Sequence, residues 1–91
     1  MEKQNTWKHQ PYNGWSNWFT WNIALWLHND YHVSQLIAEY SERQHRLGRA
    51  MDYDKFLTLA GIEKGEKTPD GVAYHSPNVN RQDMRELLAE G

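Results

Sequence analysis

The sequence predicts a mainly α-helical fold, a compact small domain of about four helices, and three observations carry that prediction. Apolar residues recur at helical i, i+3, i+4 spacing in two separate stretches, Val33 to Leu47 and Met84 to Leu88. A dense aromatic and aliphatic run from Trp15 to Leu27 can wrap a third helix in apolar surface. Capping residues and glycines stand at the ends of these stretches, where helices start and stop. At 91 residues the chain has the length of one domain, with a short polar leader over residues 1–12 and a single helical domain over 13–91. A chain this small must draw its core from few side chains, and five Trp, five Tyr and two Phe supply large ones.

The leader is polar and expected to be partly ordered, with Trp7 and Tyr12 as the residues able to pin it to the core. Pro11, Asn13 and Gly14 form a turn. Helix one is expected from about Asn17 to His28, capped by Ser16 or Asn17. Trp18, Trp21, Leu25 and His28 share one stripe, and Phe19, Ile23 and Trp26 another. Trp21 and Leu25 are assigned to the core.

Asn29-Asp30 breaks that helix, and helix two follows with Val33, Leu36, Ile37, Tyr40, Gln44 and Leu47 on its inner face. Its outer face carries Ser34, Glu39, Glu42, Arg43 and Arg46, and Gly48 stops it. Asp52 caps a third helix over about Tyr53 to Ala60, ended by Gly61-Ile62. Thr68-Pro69-Asp70-Gly71 has the residues of a type I turn. Around residues 66–76 there is room for a short two-stranded or extended segment. A fourth helix, about Arg81 to Ala89, starts from Asn80 and buries Met84, Leu87 and Leu88.

Composition excludes several functions. Without Cys there is no disulfide framework and no thiolate metal site. No apolar run approaches the roughly 18 residues of a membrane span, and the polar N-terminus lacks the apolar stretch of a signal peptide. A cytoplasmic location and no membrane partner are expected. The net charge of −2 argues against a dedicated nucleic-acid binder.

No catalytic constellation stands out. Asp30 and His32 form an acid–base pair only by chance proximity, and no nucleophile elbow or phosphate-cradling loop accompanies them. His28 and His32 have the four-residue spacing of two helical metal ligands, but the Asn29-Asp30 break lies between them and no third ligand follows. No enzyme activity, metal or cofactor is expected. Helices two and three also fit a helix-turn-helix, with Arg43, Arg46 and Arg49 near the junction. Asp54, Lys55 and Thr58 would make a poor base-reading surface. The aromatic cluster leaves two readings open, all core or partly a contact surface, the second because Trp and Tyr are enriched at interface hot spots.

The stretch from Asn13 to Leu27, together with Thr68-Pro69-Asp70-Gly71-Val72, resembles a family of small uncharacterised proteins from phages, plasmids and bacterial genomes. The shared pattern is Asn-Gly-Trp, one residue, Asn, an aromatic, one residue, Thr-Trp-Asn and a helical Leu-Trp. Trp18 replaces a common Tyr, and Tyr74 stands where an aromatic, often Trp, follows the Pro-Asp-Gly turn. The resemblance carries no reaction. It implies a mobile-element setting in a bacterial host, and from that context a stoichiometric protein-binding inhibitor of a host protein, such as a CRISPR or restriction effector. A nucleic-acid-binding regulator is the alternative. Asn13, Gly14, Trp15, Asn17, Thr20, Trp21, Asn22 and Leu25 are assigned structural roles in the signature. Phe19, Trp26, Glu39, Glu42, Arg43 and Arg46 are the expected partner-binding residues.

Overall fold

A computed structural model describes residues 6–90 of the chain. Residues 1–5 of the expected leader lie outside the described residues. One 3-10 turn, Thr6–His9, precedes four α-helices: α1 (Trp18–Asn29), α2 (Tyr31–Leu47), α3 (Tyr53–Leu59) and α4 (Arg81–Glu90). None of these helices is long and apolar enough to cross a membrane.

Each boundary has a local cause. The Asn17 side chain accepts from Thr20 N–H at 2.8 Å and starts α1. Asp30 is the single residue between α1 and α2, and its carboxylate accepts from Val33 N–H at 3.0 Å. Gly48, at φ 67°, ends α2, with Arg49 N–H closing back on Gln44 C=O at 2.9 Å. Asp52 caps α3 through Lys55 N–H at 3.0 Å, and Ile62 N–H returns to Leu57 C=O at 2.9 Å past Gly61. Asn80 caps α4 through Asp83 N–H at 2.8 Å.

Two turns flank this frame. Tyr12 and Trp15 exchange both backbone hydrogen bonds, at 2.9 and 2.8 Å, around Asn13 (φ 48°) and Gly14 (φ 86°). Two central residues at positive φ define the type I′ hairpin turn that Asn-Gly favours. Further on, Gly71 N–H bonds to Thr68 C=O at 2.8 Å. Thr68 N–H bonds to Val72 C=O at 2.8 Å, beside a single antiparallel pairing of Lys67 with Ala73. The region expected to be short-stranded or extended is therefore one narrow loop whose Val72 is buried.

The core collects Ile23, Ala24 and Leu27 of α1, Ile37 and Tyr40 of α2, Tyr53, Phe56 and Leu57 of α3, and Met84, Leu87 and Leu88 of α4. Trp21 and Leu25, expected in the core, are only half-buried. The inward stripe of α1 is Thr20, Ile23, Ala24 and Leu27, rotated away from the Trp face. Its apolar side chains join the common core with α2, α3 and α4, while Trp18 packs against its edge. Arg81 fastens the last loop. Its guanidinium grips the Asp54 carboxylate at 2.9 and 3.3 Å, donates to Ser76 and Val79 carbonyls at 2.6 and 2.8 Å, and lies 5.2 Å from the Tyr53 ring centre. The Tyr53 hydroxyl donates to Tyr74 C=O at 2.8 Å, and burial pushes its phenol pKa up.

Candidate functional site

Three clusters of polar or aromatic side chains stand out, and their partners separate structure from surface. The first is a polar seam along α1. The Asn22 carboxamide, fully buried, donates to Asp70 at 2.7 Å and accepts from the Thr68 hydroxyl at 2.7 Å. The Trp26 indole N–H donates to the same Asp70 oxygen at 2.9 Å. Two residues before Asn22, the Thr20 hydroxyl donates to Asn17 and accepts from Asn80 N–H, both at 2.8 Å. Asn17 also donates to Asn78 C=O at 2.8 Å, and Ser16 N–H donates to Asp83 at 2.8 Å. Asn17, Thr20 and Asn22 thus bind the 68–71 turn and the start of α4 to α1. Among the described residues, no buried side-chain N or O atom of the seam lacks a partner within the fold.

The second cluster is aromatic. Trp7 lies 6.0 Å from Trp18 and 6.1 Å from Tyr12, and Tyr12 lies 4.9 Å from Trp21. The Lys8 ammonium sits 4.5 Å from the Trp18 ring centre. Phe19 meets the His9 ring at 5.2 Å and the Trp18 ring at 5.5 Å. These rings hold residues 6–15 against α1, as the pinning role of Trp7 and Tyr12 anticipates.

The third cluster is a groove between α2 and α3, of about 670 Å³. Arg43, Arg49, Lys55 and Arg85 line it together with Asp52, over a floor of Tyr40, Gln44 and Met51, and Leu59 stands beside them. A smaller extension shares Tyr40, Arg43 and Leu59 and adds Leu36, Glu39, Phe56 and Ala60. Hydrogen bonds from the floor set the geometry. Gln44 donates to Ala50 C=O at 2.7 Å. The Tyr40 hydroxyl accepts from Asp52 N–H at 3.0 Å and donates to Asp52 C=O at 3.3 Å. These bonds hold the 48–52 link, and with it Arg49 and the start of α3, against α2.

Electrostatically the groove departs from the chain as a whole. Four cations face one carboxylate in its main part, in a chain of net charge −2. The Asp52 carboxylate is engaged in capping α3. Among the described residues, the side-chain cations of Arg43, Arg49 and Lys55 have no hydrogen-bonding or ion-pair partner. Arg85 reaches the Gln82 side-chain carbonyl on its own helix. Leu59, 60% exposed, presents an aliphatic surface beside these charges.

The expected partner-binding residues fall in different places. Glu39 and Arg43 line the groove or its extension. Glu42 and Arg46 do not line it; they pair with each other at 3.2 Å on the exposed side of α2. Phe19 belongs to the aromatic cluster and Trp26 to the Asp70 seam. Sequence reasoning missed Lys55, Leu59, Met51 and Arg85 as groove residues, because they come from three separate segments. The available signal was the polar Gln44 and Tyr40 on an inward face, which implies something polar for them to hold. His28 and His32 are both exposed, on either side of the break at Asp30. Among the described residues no three His, Asp or Glu side chains gather into a metal-binding group.

Residues 8–91 match the model of a family of unknown function (DUF7249). No curated protein and no solved structure matches the chain.

Proposed function

The chain belongs to this family of unknown function, and from that premise we propose that it is a small protein-binding module without enzymatic activity, whose contact surface is the α2–α3 groove. In the mobile-element setting that the signature resemblance implies, its role is stoichiometric inhibition of a host protein, such as a CRISPR or restriction effector. The observation that carries the reading is the set of unpaired cations, Arg43, Arg49 and Lys55, beside exposed Leu59. Charges that satisfy nothing inside a fold, placed next to apolar surface, are what an interface supplies to its partner. The other polar clusters are consumed internally, so they offer a partner much less.

The test is affinity capture from host lysate with the wild type and with Arg43→Glu/Lys55→Glu. The expected result is a retained host protein whose own activity falls to its floor at one equivalent of this chain. The charge-reversed variant, with unchanged circular dichroism, loses that protein. Equal capture by both proteins would reject the groove. Retention of nucleic acid alone, falling steeply with salt, would favour the regulator alternative instead.

A further inference from the structure

Resting on the protein-binding reading of the groove, we infer that its occupant is an acidic polypeptide segment that carries an apolar anchor. Arg43 projects from α2, Arg49 from the link after α2, Lys55 from α3 and Arg85 from α4, so positive charge meets the concavity from four segments. A partner with Asp or Glu side chains can meet these cations with charge-assisted hydrogen bonds, and a guanidinium holds a carboxylate in two-pronged geometry. Charge alone does not describe the site. Leu59 is 60% exposed beside the cations, and the extension adds the apolar side chains of Leu36, Phe56 and Ala60 to its lining. An aliphatic side chain of the partner, seated there, removes apolar surface from water on both molecules.

The same residues disfavour a nucleic-acid occupant. The Asp52 carboxylate sits among the four cations and Glu39 borders the extension. Both would repel a phosphate chain. Tyr40 is the groove's only ring in its main part and is 6% exposed, which leaves no stacking platform for a base. A polypeptide can place a carboxylate against each Arg and a neutral group against Asp52, whereas a nucleic-acid backbone repeats its charge at every step.

The experiment is fluorescence anisotropy with the full chain and four labelled probes. These are a short peptide of interspersed Glu and Leu, the same peptide with Gln for Glu, the same peptide with Ser for Leu, and a mixed-sequence oligonucleotide. The Glu/Leu peptide is expected to bind, and each altered peptide to bind at least about tenfold more weakly. Arg43→Glu/Arg49→Glu and Leu59→Ala should each weaken the Glu/Leu peptide by a similar factor. All three positions are exposed, so circular dichroism should report intact helices. Tighter binding of the oligonucleotide with the same groove dependence overturns the inference in favour of nucleic acid. Sedimentation showing a dimer that Arg43→Glu/Arg49→Glu dissolves overturns it in favour of a second copy. Failure of every peptide, while lysate capture still depends on Arg43 and Lys55, overturns the acidic-segment inference and leaves the protein-binding reading standing. Failure of both measurements overturns both.

Discussion

The Asn22 side-chain amide of α1 donates to the Asp70 carboxylate at 2.7 Å, across 48 positions of sequence, while its carbonyl accepts from Thr68 at the same distance. One carboxamide thus ties the central helix to the first and third residues of the Thr68-Pro69-Asp70-Gly71 turn. Two segments that are separate signatures in the sequence are one structural unit in the fold.

Asn22→Ala should therefore destabilise the protein by about 1–3 kcal/mol, because the buried Thr68 hydroxyl keeps its desolvation cost and loses its acceptor. Asp70→Ala should cost less, since the Asp70 position is open to water, which can replace the carboxylate as acceptor for the Asn22 and Trp26 N–H groups. Urea unfolding of both variants checks the order. An Asn22→Ala midpoint equal to that of the wild type would show that the seam contributes nothing.

Leu27→Ala, in the inward stripe of α1, should cost about 2–5 kcal/mol through lost burial and the cavity left behind. Trp21→Ala should cost less despite the larger side chain, because part of that ring already meets solvent and its loss leaves a less enclosed cavity. Thermal melts decide this. A greater loss for Trp21→Ala would place the indole at the centre of the packing.

Gly14→Ala should cost about 1–2 kcal/mol, and the cause is conformational. A Cβ at Gly14 meets no atom within 4 Å, so the φ of 86° alone opposes it. Gly14→Asn should recover part of the loss, because Asn tolerates positive φ better than Ala. Equal melting of Gly14→Ala and the wild type would mean that the turn relaxes freely.

Acid should weaken the fold through two carboxylates. The Arg81 hydrogen bond holds Asp54 below the ordinary carboxylate pKa, and the Trp26 and Asn22 N–H groups hold Asp70 below it. A depressed folded-state pKa contributes stability above the unfolded-state value, and that stability disappears as pH falls through the folded-state value. Melting temperature should thus begin to fall below about pH 4. Asp54→Asn/Asp70→Asn should show a shallower acid limb than the wild type, modestly so because both groups are exposed. An unchanged limb would assign acid sensitivity to other carboxylates.

Tyr40→Phe removes both hydrogen bonds to the Asp52 backbone while keeping the ring. The expected cost is about 1–3 kcal/mol. Faster amide hydrogen exchange should appear around Ala50–Tyr53 rather than across α1. Uniform exchange throughout the chain would mean that the phenol does not locally anchor the groove.

The sequence by itself determined the helices and their ends. Asn17, Asp30, Asp52 and Asn80 cap, and Gly48 and Gly61 terminate, through bonds to residues no more than a turn or so away. Such short-range geometry depends on residue type and spacing, which a sequence displays directly. The amphipathic pattern of α2 likewise identified Ile37, Tyr40 and Gln44 as inward, whereas Leu47, expected on the same face, is half exposed in the last turn before Gly48. Only the tertiary structure decided which face of α1 is core. Its apolar residues nearly encircle the helix, so periodicity offers no preferred side, and the close approach of other elements selected Thr20, Ile23, Ala24 and Leu27. Only the tertiary structure, too, gathered Arg43, Arg49, Lys55 and Arg85 around one groove. Along the chain these cations are interspersed with acids and diluted over four segments. Their shared field exists only once Tyr40 and Gln44 have drawn the 48–52 link against α2 and packing has brought α4 alongside.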